Sequence, residues 1–195
     1  MKLMVLDGNS IVNRAYYGVR PLTTRDGFFT HAIFGFLTML SRLLDEEKPE
    51  ALCVAFDRRE PTFRHLEYEG YKATRHAMPE ELAMQMPVLK EVLDAMNIPR
   101  YELAGFEADD LIGTISRKCE KEGWDCVVAT GDKDSLQLVT EHTTVKLISS
   151  RMGQTTTKDM TPEAFFESYG FAPAHIVALK ALMGAASDNI PGVPG

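Results

Sequence analysis

Three short apolar runs alternating with helix-like stretches predict an α/β fold with a mainly parallel central sheet and helices on both faces. The runs are Lys2–Leu6, Ala51–Phe56 and Asp125–Thr130, each too brief for a helix and each followed within two residues by an acid. Near-continuous apolar strands are expected where a parallel sheet is covered on both sides. A hydrophobic content of 45% over 195 residues supplies one substantial core, and no internal repeat or low-complexity tract divides it.

In chain order, Lys2 to Leu6 reads as a buried strand stopping at Asp7-Gly8, with a helix expected from about Ser10. From His31 to Glu47 apolar residues recur at three- and four-residue steps (Ile33, Phe36, Leu37, Leu40, Leu43, Leu44), and Lys48-Pro49 ends the run. The second strand stops at Asp57. Residues 58–78 have no clean period and read as an arch or long functional loop. Pro79 opens an amphipathic helix to about Asn97, a strand-like piece covers Arg100 to Leu103, and a helix spans Ala108 to Glu122 with Gly123 as its stop. After the third strand, Thr143 to Ile148 is a further strand, and helices over Pro162–Tyr169 and Pro173–Met183 complete the ordered part.

No uncharged apolar run reaches membrane-spanning length and the N-terminus lacks a signal-peptide pattern, so a soluble, cytoplasmic, monomeric protein without membrane partners is expected. Cys53, Cys119 and Cys126 form no CxxC pair and read as buried structural thiols. The net charge of −7 argues against nucleic-acid binding only if it is spread evenly. It is not: Arg58, Arg59, Arg64, Lys72 and Arg75 crowd one segment, and eight carboxylates fall in clusters.

Those clusters are Asp7, Asp57, Glu107-Ala108-Asp109-Asp110 and Asp132-Lys133-Asp134, with Asp188 as a later contribution. Ligands of open parallel sheets bind beyond the carboxyl ends of the strands, which is where these acids stand. A single Asp after a strand is more often a helix cap or turn residue. Several at one sheet edge repel and must protonate unless cations sit among them. Oxygen ligands without Cys or His suit Mg²⁺ or Mn²⁺, and two such ions about 4 Å apart are a standard device for cleaving phosphodiesters. Asp132-Lys133-Asp134 alone would also suit a phosphatase that forms an aspartyl-phosphate, but that chemistry expects Thr where Leu136 stands.

Phe56-Asp57 with Pro61-Thr62-Phe63-Arg64, then Gly70-Tyr71-Lys72-Ala73-Thr74-Arg75, Gly105-Phe106-Glu107-Ala108-Asp109-Asp110, Thr130-Gly131-Asp132-Lys133-Asp134 and Ser187-Asp188-Asn189-Ile190-Pro191-Gly192 closely resemble, in order, the 5′-nuclease domain of DNA polymerase I. The resemblance covers the whole chain and implies a PIN-like sheet related to the flap endonucleases. It implies that Asp7, Asp57, Glu107 and Asp109 serve a first metal, Asp132, Asp134 and Asp188 a second, and Asp110 an outer position. The implied substrate is DNA with a 5′ flap or free 5′ end, in primer removal and repair. On this view residues 1–183 form the catalytic domain, 184–195 begin a truncated helix-hairpin-helix element, and a polymerase region follows in the parent chain.

Spacing alone leaves Lys72 and Arg75 open between a solvated surface and phosphate contacts, and the resemblance decides for the phosphate. Tyr71 offers a ring for a base, and Arg64, which Glu67 or Glu69 can also pair with, Lys180, Gly192 and Gly195 are further DNA-contact candidates. Tyr16 and Tyr17 read as core aromatics. One departure affects the metal site. Where the family has an Asp three residues before Asp188, this chain has Ala185, which cannot coordinate, so the second ion is in doubt. The rival reading is therefore a structure-selective DNA-binding module without catalysis.

Overall fold

The computed structural model describes residues 1–151 and 154–194. Its strands are β1 (Lys2–Asp7), β2 (Ala51–Ala55), β3 (Arg100–Tyr101), β4 (Asp125–Thr130), β5 (Thr143–Arg151) and β6 (Gln154–Met160). The helices are α1 (Gly8–Gly18), α2 (His31–Glu47), α3 (Phe63–Glu67), α4 (Glu80–Ala83), α5 (Gln85–Ala95), α6 (Ala108–Lys121), α7 (Pro162–Tyr169) and α8 (Ile176–Met183). They join in one sheet of order β3-β2-β1-β4-β5-β6, parallel throughout except for the antiparallel β5–β6 pair. The expected mainly parallel sheet is what forms.

Alternation along β1 decides the two layers. Met4 and Leu6 pack with Ile11, Phe36, Leu40 and Leu89 from α1, α2 and α5, whereas Val5 faces Ile112, Leu136, Phe165 and Ile176 on the other side. In register, Asp7 lies beside Ala55 and Leu6 beside Ala129, so β1, β2 and β4 end together at one edge. That edge receives the acids. Cys53, Cys119 and Cys126 are buried free thiols, as expected.

Several elements differ from expectation for local reasons. The helix expected from Pro79 to Asn97 breaks after Ala83, because Pro87 has no N–H to donate to the carbonyl four residues earlier. Gln85 at the break is fully buried and its Oε1 accepts from the N–H groups of Ala32 and Ile33 at 2.9 and 3.3 Å, serving the otherwise uncapped start of α2. The helix expected from Pro173 begins as a 3-10 turn, Pro173–His175, before α8. β6 was hidden by its polar composition, Gln154-Thr155-Thr156-Thr157-Lys158-Asp159, which an edge strand tolerates. Tyr16 packs against the core but Tyr17 is 73% exposed, so only one of the pair is a core aromatic. Among the described residues no helix is long and apolar enough to cross a membrane.

Candidate metal and nucleic-acid site

Four carboxylates form the centre of a cleft of about 590 Å³ at the strand ends: Asp7, Asp57, Asp109 and Asp132. Asp7 closes β1 and caps α1, its Oδ1 accepting from Ser10 N–H at 3.0 Å and its Oδ2 from the Thr130 hydroxyl at 2.7 Å. Asp57 accepts from Ala108 N–H at 2.7 Å, fixing the start of α6 against the end of β2. Asp132 accepts from Asp134 N–H at 2.8 Å. The carboxylate of Asp109, in the first turn of α6, makes no hydrogen bond or ion pair among the described residues.

None of these four has a Lys or Arg within ion-pair distance among the described residues, whereas every acid around them does. Glu107 pairs with Lys72 at 2.7 Å, Asp110 with Arg64 at 2.8 Å, Asp188 with Arg75 at 2.7 Å and Asp134 with Lys180 at 2.5 Å. Like charges concentrated at the centre have a visible consequence. Asp7 is pushed up to about 6, first by burial and then by Asp57 and Asp132, with the Ser10 and Thr130 hydrogen bonds opposing. Asp109 is pushed up to about 7 by desolvation and by Asp7, Asp132 and Asp57, with Lys72 opposing. Since water still reaches its side chain, the neighbouring carboxylates are the firmer cause.

A carboxyl whose folded pKa is raised favours the folded state below its unfolded value near 3.8, and that favour is lost as pH climbs towards 7. Asp109→Asn in EDTA is therefore expected to raise the melting temperature at pH 8, with the gain shrinking towards pH 4. Calorimetric melts at both pH values check this, and equal shifts at the two would contradict the crowding.

The residues suit a hard divalent cation: the central donors are all carboxylate oxygens, they crowd each other, and they lack cationic partners. Among the described residues, no three His, Cys, Asp or Glu side chains converge as they stand to hold one. Both Glu107 oxygens are engaged, by the Tyr71 hydroxyl at 2.9 Å and by Lys72, and both Asp110 oxygens by Arg64. Ligation would have to exchange at least the Glu107 contact with Lys72.

The arch differs in detail from its reading in sequence. Its residues 70–74 form turns, and Lys72 itself adopts φ +54. That left-handed backbone is held by Lys72 N–H donating to the Asp188 carbonyl at 2.9 Å. Asn189 Nδ2 donates to Gly70 O and Tyr68 Oη to Asn189 O, so the arch base and the Asp188 turn form one unit. Tyr71 is no stacking platform: it is 6% exposed and its hydroxyl is spent on Glu107. Arg64 pairs with Asp110 rather than with Glu67 or Glu69. Lys180 and Ala185 line a neighbouring apolar cleft with Asp134 and Asp188. Gly192 lies against the last carbonyls of α8, where a Cβ would collide with Leu182 and Met183, and Gly195 lies outside the described residues.

Sequence reading missed the residues that hold the acids in place. Asn9 Oδ1 accepts from Asp57 N–H at 2.9 Å, and Ser10 Oγ accepts from Gly131 N–H at 2.9 Å. Thr130 joins two acids, its hydroxyl donating to Asp7 while accepting from Asp132 N–H. Arg14 donates to Gly131 O at 2.7 Å, and any side chain at Gly131 would run into its guanidinium. The available signal was short polar residues directly after strands, a pattern shared with ordinary caps.

The family model described as 5′-3′ exonuclease, N-terminal resolvase-like domain matches residues 2–170. DNA polymerase I of Bacillus subtilis is 46% identical over 194 residues, and that of Mycobacterium leprae 47% over 195, covering 100% and 99% of this chain. The chain spans about a fifth of the length of these curated relatives, 22% and 21%. A bacteriophage T5 flap endonuclease, solved as a pseudo-enzyme-product complex with DNA and metal ions, superposes with TM-score 0.77 at 21% identity, covering 100% of this chain and 71% of that one. Human GEN1 in complex with Holliday junction DNA superposes with TM-score 0.57 at 19% identity, covering 100% and 46%. These likenesses give the fold, and the match over residues 2–170 gives the family: the chain belongs to the 5′-3′ exonuclease N-terminal, resolvase-like domains.

Proposed function

We propose that this chain hydrolyses DNA phosphodiesters at a free 5′ end or a 5′ flap, in a divalent-metal-dependent reaction serving primer removal and repair within a larger polymerase chain. The observation that carries it is the central group Asp7, Asp57, Asp109 and Asp132, four acids without cationic partners at the carboxyl edge of the sheet. Mg²⁺ or Mn²⁺ would be held by Asp7, Asp57, Glu107 and Asp109 at one position and by Asp132, Asp134 and Asp188 at a second, with Asp110 outside them. When bound, such ions polarise the attacking water and offset charge on the leaving oxygen.

The chain's own groups supply orientation and charge. Thr130, Asn9 and Ser10 fix the acids, and Lys72 and Arg75, released from Glu107 and Asp188, would bind the scissile phosphate. Arg64, Tyr71, Lys180, Gly192 and Gly195 remain the further candidates for DNA contact, with Tyr71 acting through Glu107 rather than by stacking. Residues 1–183 would act as the catalytic unit and 184–195 as the start of a DNA-gripping element. The reading of a binding module without catalysis is favoured only by Ala185. A 5′-labelled flap substrate decides between them: cleavage in Mn²⁺ and none in EDTA is expected, and binding without cleavage in either would leave the module.

Lys72→Ala should reduce the single-turnover rate more than it reduces affinity, because its phosphate contact is expected to strengthen as charge develops. Loss of one such stabilising contact is worth roughly 10²-fold. Stopped-flow cleavage beside equilibrium binding checks it, and a proportional fall in affinity with an unchanged rate would make Lys72 an ordinary phosphate contact.

A further inference from the structure

α6 carries a stripe of residues away from the cleft. Asp110, Gly113, Thr114, Arg117, Lys118 and Lys121 recur at three- and four-residue steps on one outward face and line a groove of about 530 Å³ that opens at Asp109. From Asp110 to Lys121 this face runs about 16 Å along the helix axis at about 1.5 Å per residue.

The charges here are unlike those in the cleft. Arg117 is taken by Glu120 at 2.6 Å, but Lys118 and Lys121 are exposed and their ammonium groups have no hydrogen bond or ion pair among the described residues. Gly113 adds an independent observation. Glycine is among the worst residues for a helix interior. Its φ is not positive, and a methyl group there would meet only Leu138 Cδ2, at an ordinary 3.5 Å. Neither backbone nor packing calls for glycine at this position, whereas a chain lying close on the helix would.

Resting on the nuclease reading, we propose that the α6 groove holds the sugar-phosphate backbone of one DNA strand as it leaves the cleft. Lys118 and Lys121 contact phosphates and Gly113 is the point of closest approach. No aromatic residue lines this groove among the described residues, so the contact reads backbone and not base, and is independent of sequence. The lysines also complement the negative end of α6. That role would register in stability but not in DNA affinity.

Fluorescence anisotropy with a 5′-flapped duplex in EDTA, over about 50 to 200 mM NaCl, tests the groove. Lys118→Ala with Lys121→Ala should weaken binding about tenfold and lower the slope of log affinity against log salt by about 1.8, since each phosphate contact contributes about 0.9. Gly113→Ala should weaken binding several-fold while raising the melting temperature by about 2 °C, the opposite sign from a packing defect. Unchanged affinity and slope in the lysine variant, or a stabilised Gly113→Ala that binds as tightly as the parent, would overturn the proposal. If the parent chain still cuts the flap in Mn²⁺ in that case, the nuclease reading survives. A parent chain that neither binds nor cuts flapped DNA would end both.

Discussion

Replacing Asp109 by alanine is expected to abolish cleavage of a 5′-flap substrate, by about 10³-fold or more, while leaving the fold intact. Removing one ligand from a site where a metal contributes several kcal/mol of charge stabilisation forfeits about three decades of rate at about 1.4 kcal/mol each. The fold should survive because no hydrogen bond or ion pair among the described residues depends on the Asp109 carboxylate. Asp7→Ala is the instructive contrast. It should lose cleavage as completely, but it also removes the cap of α1 and the acceptor of the Thr130 hydroxyl, costing about 1 kcal/mol for the cap. Relief of repulsion with Asp57 and Asp132 works the other way. Single-turnover cleavage in Mn²⁺ together with melts in EDTA checks both variants. An Asp109→Ala protein cutting at the parental rate would sink the metal assignment.

Ala185→Asp is expected to raise flap cleavage by about 10²-fold and to add a second Mn²⁺ equivalent in isothermal titration. Ala185 sits in a cleft with Asp134, Asp188 and Lys180, one 3-10 turn before Asp188, whose N–H donates to the Ala185 carbonyl at 3.0 Å. Ala185 is the extended N-cap of that turn and lines the cleft it shares with Asp134 and Asp188, so the new carboxylate would be added to that cleft. Without a metal this adds a third acid to the cleft that holds Asp134 and Asp188 and should lower the melting temperature. With Mn²⁺ the sign should reverse, because a ligand that binds only the folded state stabilises it. The comparison belongs at saturating DNA and low salt, where phosphate contacts outside the site matter least. Neither a second Mn²⁺ site nor faster single-turnover cleavage under those conditions would mean that Ala185 replaces no ligand.

The regular elements were legible where pattern and burial agree. α2, β4 and α7 begin and end as their periodicity and caps indicate, including Thr161 accepting from Ala164 N–H ahead of Pro162. The acids were legible too, since a strand that runs into an Asp is visible without coordinates and three strands, β1, β2 and β4, do so. The arch was not. Residues 58–78 have no period to read, and their conformation is set by contacts with residues more than a hundred positions away, such as Lys72 with Asp188 and Gly70 with Asn189. A sequence window cannot register such contacts.

By itself, then, the sequence determined an α/β sheet, its acidic carboxyl edge and the presence of a basic segment after the second strand, because each follows from side-chain period, strand length and residue chemistry. Tertiary structure alone decided which acids have cations. Glu107, Asp110, Asp134 and Asp188 are neutralised by Lys72, Arg64, Lys180 and Arg75, while Asp7, Asp57, Asp109 and Asp132 are left crowded together. All eight look alike in one dimension. The difference between them is a matter of distances of a few ångströms across strands, where the Coulomb interaction is steep and burial weakens the screening by water.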